Sequence, residues 1–129
     1  MRPIANILER GDISPFLNAT SEVIYLKKRN SYIKVPQAKV KLIPKLETKE
    51  IELNGVAVVV EEPKGIVASK DNSDYNRKIF IVPETVFYLP HGILKRLRQE
   101  LGIVGVAIPE VYVYENGKFF VEVLKVKFF

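Results

Sequence analysis

Glu50-Ile51-Glu52-Leu53-Asn54-Gly55-Val56-Ala57-Val58-Val59-Val60 decides the fold class of this chain. Ile51 and Leu53 alternate with Glu50 and Glu52, and a period of two places alternate side chains on opposite faces of a strand. Asn54-Gly55 then separates that strand from a β-branched run. Asn-Gly between strand-like runs signals a hairpin, because both central residues of the tight turn need positive φ. Val56–Val60 is almost continuously apolar, a pattern that suits a strand buried on both faces. The expectation is a hairpin whose second strand lies in the interior.

The same grammar extends in both directions. On the N-terminal side, Ala38, Val40 and Leu42 alternate with Lys39 and Lys41, which predicts a half-buried strand with both lysines facing solvent and Pro44 at its end. Val23–Leu26 and Tyr32–Val35 read as paired strands around a turn at Arg29-Asn30-Ser31. Residues 1–20, with Pro3, Gly11 and Pro15 around Ile4–Leu8, read as an arm or one short helical segment.

On the C-terminal side, Glu62-Pro63-Lys64-Gly65 reads as a turn and the polar stretch Lys70–Arg77 as a loop. Lys78–Val82 and Thr85–Leu89 are strand-like. Ile93, Leu94, Leu97 and Leu101 recur at helical spacing, and Gly102 is a suitable stop, so a helix is predicted over 91–101. Ile103–Ile108, Val111–Tyr114 and Phe119–Val126 complete the strands, with a second hairpin turn at Asn116-Gly117. The predicted class is α+β: a β-rich single domain over 1–129 with at least two hairpins and one short helix.

Composition narrows the chemistry. The chain of 129 residues is 47% hydrophobic and 27% charged, ordinary for a globular domain with a real core. It has no Cys, which excludes disulfides, thiolate metal sites and cysteine nucleophiles. Its single His, His91, cannot build a histidine-rich zinc site within one chain. Asp71, Asn72, Asp74 and Asn76 offer oxygen ligands to a hard cation but lack the EF-hand spacing and read as turn formers. No nucleophile or orienting acid pairs with His91 from sequence, and no glycine-rich phosphate loop occurs. No cofactor, no metal and no catalytic residue is therefore expected, and the protein is read as not an enzyme.

No run of eighteen apolar residues is present, so no membrane association is expected, and Glu9, Arg10 and Asp12 interrupt any leader-like stretch. The expected location is the cytoplasm or nucleoid, or the host cytoplasm for a viral protein. The lack of Cys together with abundant Lys and Glu leans toward a thermophilic, archaeal or viral source.

Positive charge is concentrated. Eight of the twenty Lys and Arg residues fall between Lys27 and Lys49 against Glu47 alone, a net +7, and the rest of the chain carries −2. A local excess of this kind attracts polyanions. Lys27, Lys28, Arg29, Lys34, Lys39 and Lys41 are the candidate phosphate contacts, with Tyr32 as a stacking group. Because most of these cations are Lys, contact with phosphates is expected rather than base reading.

Thr85–Val126 resembles the AbrB/SpoVT family of swapped-hairpin DNA-binding domains. The resemblance rests on Val86-Phe87-Tyr88-Leu89-Pro90, the helix through Leu97, Leu101-Gly102-Ile103, Val111-Tyr112-Val113, Glu115-Asn116-Gly117-Lys118 and Phe119–Val123. It implies an obligate dimer whose interleaved strands present a basic surface to DNA. Glu84-Thr85 and Ile108-Pro109-Glu110 depart from the family's Gly-Arg and Gly-Asp, and no DNA-contact residue carries over.

The sequence thus predicts a small non-catalytic protein that binds DNA or RNA through basic strands and forms a homodimer or small homo-oligomer, with Phe128 and Phe129 in the interface. The alternative is a protein-interaction or structural assembly subunit, viral or cellular, that binds no nucleic acid.

Overall fold

A computed structural model describes residues 6–69, 71 and 73–129. Its nine strands and two helices are β1 (Asn6–Leu8), β2 (Phe16–Asn18), β3 (Val23–Lys28), β4 (Ser31–Lys34), β5 (Lys41–Leu53), β6 (Val56–Ser69), β7 (Ile79–Ile81), α1 (Glu84–Phe87), α2 (His91–Leu101), β8 (Gly105–Glu115) and β9 (Lys118–Phe128). The expected β-rich α+β class is the observed one.

Seven strands form one mixed sheet in the order β1-β4-β3-β9-β8-β7-β2. The sheet curls until its ends meet. The Asn18 amide of β2 donates to Pro36 O, and the Ala38 amide donates to Asn18 O, each at 2.8 Å. Pro36–Ala38 runs on directly from β4, so the edge strand β2 is paired on both sides near Asn18 and the sheet becomes a near-closed barrel. Closure removes edges that would otherwise offer unpaired backbone groups.

Strand alternation sorts the apolar residues into layers. Ile24, Leu26, Ile33, Ile79, Ile81, Ala107 and Val121 point inward and fill the barrel. Their neighbours Phe80, Val106 and Ile108 point outward into a second core, which α1 and α2 cover with Val86, Phe87, Leu94 and Leu97. On the opposite outer face Tyr25 stacks on Phe120 at 5.2 Å, and Tyr32 meets the same ring edge-on at 5.5 Å.

Helix α2 forms where its periodicity places it. Ile93, Leu94, Leu97 and Leu101 make its buried face, and Gly102 ends it in the left-handed conformation at φ 77°, its amide bonded to Arg98 O. Thr85–Leu89, expected as a strand, instead begins as the single turn α1. Pro83 precedes that turn, and burying Val86 and Phe87 against β8 outweighs the strand propensity of Thr, Val and Phe. The N-terminal segment holds strands β1 and β2 rather than helix; Pro3 and Ile4 lie outside the described residues.

The largest departure from expectation is β5–β6. These two strands pair only with each other, as a ribbon apart from the barrel sheet. Pro44 does not end β5, since in a two-stranded ribbon its missing N–H can face the open edge. Pro63-Lys64-Gly65 is not a turn either. Register slips there, with Lys45 opposite Gly65 and Leu46 opposite Pro63, so Lys64 is the extra residue of a β-bulge.

Candidate interaction arm and the basic residues

The bulge divides the ribbon into a root and an arm. In the root, Leu42, Ala68 and Ile66 pack into the outer core beneath α2, and Gly65 lies close to Arg96. Beyond the bulge, residues 46–63 leave the body. Cross-strand register places Ile51, Leu53, Val56, Val58 and Val60 on one face, with Glu50, Glu52, Ala57, Val59 and Glu61 on the other.

No layer covers either face. Val56 is 61% exposed and Val59 66%, where burial on both faces had been expected of Val56–Val60. The β-branched run is strand-forming as read, but Val56 and Val59 are exposed and Val58 and Val60 are only half-buried. A two-stranded ribbon is marginal by itself in water.

Asn54 and Gly55, at φ 50° and 81°, close the tip of the arm, as the turn chemistry predicts. At its base Glu47 and Glu62 stand directly opposite each other, and Lys64 Nζ lies 3.7 Å from Glu47 and 2.9 Å from Glu62. The hydrogen bond and charge of Lys64 hold the Glu62 carboxyl below its ordinary pKa.

Folding redistributes the basic run. Lys49 and Lys64 are the cations of 46–64, against Glu47, Glu50, Glu52, Glu61 and Glu62, so the arm together with its bulge residue is acidic with a net charge of −3. The rest of the chain carries +8. A hairpin partner, invisible to a window along the sequence, supplies two of these glutamates.

The six candidate phosphate contacts lie at three places in the chain's fold, with Lys27 and Lys34 on the same face of the β3–β4 pair. Lys27, Lys28 and Arg29 sit at the β3–β4 turn, where Lys27 Nζ lies 3.8 Å from Glu122 and Lys28 donates to Asp12 O at 2.8 Å. Lys34 is at the other end of β4, 3.5 Å from Glu9. Lys39 and Lys41 lie beyond the barrel-closing bridge at Gln37, at the root of the ribbon. Both are exposed, and Ala38 and Val40 are buried, as their alternation predicts.

Tyr32 is 1% exposed beneath Phe120 and is not accessible to a nucleobase, which corrects its expected stacking role. Its residue type and spacing pointed to a surface; its strand face turned it inward.

The two terminal phenylalanines separate. Phe128 is 64% exposed, whereas Phe129 is half-buried against the outer core, with its amide bonded to Val104 O. His91 is exposed at the start of α2, its ring 6.5 Å from that of Phe129. Asp71 accepts hydrogen bonds from Ser73 and Tyr75, and Asp74 accepts one from the Asn76 amide; Asn72 lies outside the described residues. Among the described residues no three His, Cys, Asp or Glu side chains gather as metal ligands, and no helix is long and apolar enough to cross a membrane.

A second exposed patch went unnoticed in the sequence. Tyr88, at the end of α1, is 59% exposed, and Lys125 and Lys127 place their ammonium groups 5.7 and 5.2 Å from its ring. Val123, two residues before Lys125 on the same face of β9, pairs with Val111, and both are exposed. Alternating Val-Lys-Lys on β9 was the available signal.

No family model matches the chain, no curated protein matches it, and no solved structure matches its fold.

Proposed function

We propose that this protein is a non-catalytic protein-interaction subunit of a larger assembly, working in the cytoplasm, with the β5–β6 arm as its clasp. One observation carries the reading: the arm aligns Ile51, Leu53, Val56, Val58 and Val60 on a single face, with Leu53 and Val56 exposed and the other three only half-buried. Exposed aliphatic area of this kind costs free energy in water, and its burial against a partner recovers roughly 25 cal/mol per Å2. The acidic opposite face keeps the free arm soluble and selects against acidic partners.

A photo-crosslinking residue at Val58, with one at Glu100 on α2 as comparison, tests this in cells producing the protein. Discrete protein adducts at Val58 and not at Glu100 are expected. Absence of adducts at Val58 overturns the reading.

A second reading retains nucleic-acid binding. Its support is that Arg29, Lys39, Lys41 and Lys45 have no carboxylate partner among the described residues. Here a polyanion runs along the ribbon root, held by phosphate contacts that weaken steeply with salt. Replacing Lys28, Arg29, Lys39 and Lys41 by Glu abolishes binding to DNA or RNA if this reading holds. Unchanged affinity in an anisotropy titration, with an unchanged thermal melt, removes it.

A further inference from the structure

We infer that the cleft at one mouth of the barrel, walled by Tyr112, Phe119, Glu22 and Glu84, binds a small organic ammonium ion. The site lies on the body of the protein, away from the residues of the β5–β6 arm. It goes beyond the interaction reading and does not rest on it.

Strand direction builds the cleft. β2, β4, β7 and β8 run one way and β3 and β9 the other. The ends of β2, β4 and β7 and the starts of β3 and β9 therefore share one mouth, and residues 19–22 join β2 to β3 there. β8 continues from Ala107, its last residue paired with β7, to Glu115 and so supplies a wall. Tyr112 pairs with Val121 and Tyr114 with Phe119, which puts both tyrosines on the face that Val121 and Phe119 turn toward the barrel interior. The Phe119 ring lies 5.3 Å from that of Tyr112 and 4.7 Å from that of Tyr114. Buried Ile24, Val82 and Ile108 close the floor. The cleft encloses about 350 Å3, a volume that suits a small ligand.

Charge selects the ligand. Glu22 and Glu84 are the charged residues of the lining, and among the described residues neither has a Lys or Arg partner. The Tyr114 hydroxyl lies 3.5 Å from Glu22 Oε2, so that carboxylate stands beside the rings. Aromatic faces attract a cation through the ring quadrupole, and an alkylated ammonium also removes apolar floor and ring surface from water. Among the described residues no third carboxylate or His joins the two glutamates, so an organic cation suits the site better than a metal ion does. Anions are repelled here and meet Lys39 and Lys41 in the neighbouring cleft, which shares only Thr20, Ser21 and Pro83 with this one.

Titration of the isotopically labelled full chain with choline, followed by amide chemical shifts at constant ionic strength, tests the inference. Saturable shifts at Glu22, Tyr112 and Phe119 are expected, with millimolar affinity. The neutral isostere of choline, in which a tert-butyl group replaces the trimethylammonium, is expected to bind at least about tenfold more weakly. Tyr112→Leu, and separately Glu22→Gln with Glu84→Gln, each weaken choline binding by about fivefold or more, with an unchanged thermal melt. The isostere comparison uses the wild-type chain and decides the matter even if a variant fails to fold. No saturable shift with choline, equal binding of the isostere, or undiminished affinity in the folded Gln variant overturns the inference.

The titration and the Val58 crosslink address different surfaces. Failure of the titration leaves the interaction reading standing, and absence of Val58 adducts leaves the ammonium site standing.

Discussion

The Tyr25 hydroxyl donates a 2.6 Å hydrogen bond to Glu9 Oε1, tying the segment after β1 to the stacked aromatic face of the barrel. Burial, reinforced by the Glu9 carboxylate, pushes the Tyr25 phenol up to about 12, and the same bond holds the Glu9 carboxyl below its ordinary range. A raised phenol pKa stabilises the fold while Tyr25 is protonated in both states. That contribution is complete below pH 10 and is lost as pH rises toward about 12, because the unfolded phenol ionises first. Tyr25→Phe is expected to remove this part of the alkaline destabilisation, about 1–3 kcal/mol in scale. Denaturant midpoints of both proteins across that window measure it. Glu9 acts in the opposite direction: its contribution is present above the unfolded carboxyl pKa and fades as pH falls.

Asn18 is the one buried polar side chain among the described residues and lies where the barrel closes. Its amide nitrogen donates to Glu22 O at 2.6 Å, and its oxygen accepts from the Thr20 amide and hydroxyl. Asn18→Ala leaves these partners unmatched. A loss of about 1–3 kcal/mol is expected in chemical denaturation, with faster amide exchange at Ala38 and Gln37.

Gly105 and Gly55 are predicted to respond differently to alanine. A Cβ at Gly105 meets the Lys127 carbonyl oxygen at 2.6 Å, so β9 must shift over a fully packed core. Gly105→Ala is expected to cost on the order of 1–3 kcal/mol and to lower the melting temperature. Gly55 has φ 81° and open space around it. Gly55→Ala strains the turn by about 1–2 kcal/mol, but at the tip of an element that frays independently. Faster exchange near Leu53 and Val56, with an unchanged melting temperature, is the expected result.

Lys64 holds together two like charges. Lys64→Gln leaves Glu47 and Glu62 facing each other across the ribbon without a cation between them, and like charges directly opposite destabilise a strand pair. Amide exchange over the arm is expected to rise near neutral pH and to return toward wild type below the carboxylate range. There protonation removes the repulsion.

Local backbone chemistry was legible in the chain itself. Asn54-Gly55 and Asn116-Gly117 close the β5–β6 and β8–β9 hairpins with positive φ, the apolar period of 91–101 forms α2, and Gly102 stops it. The alternation at Ala38–Leu42 correctly turned Lys39 and Lys41 to solvent. Each of these signals acts within a few residues and depends on φ, ψ and side-chain direction, which sequence spacing reports directly.

What only the tertiary structure decided is who faces whom. Val56–Val60 has the composition of an interior strand, yet strand composition cannot say whether another layer exists to cover it, and here none does. Lys64 sits in a bulge rather than a turn because β5 continues past it as a partner. Tyr32 is buried because barrel closure assigns its face of β4 to Phe120. The basic run is diluted for the same reason: pairing with β6 brings Glu61 and Glu62 against β5. Hydrophobic burial and electrostatics depend on distances in space between residues far apart in the chain, and those distances are set only when the strands choose their partners.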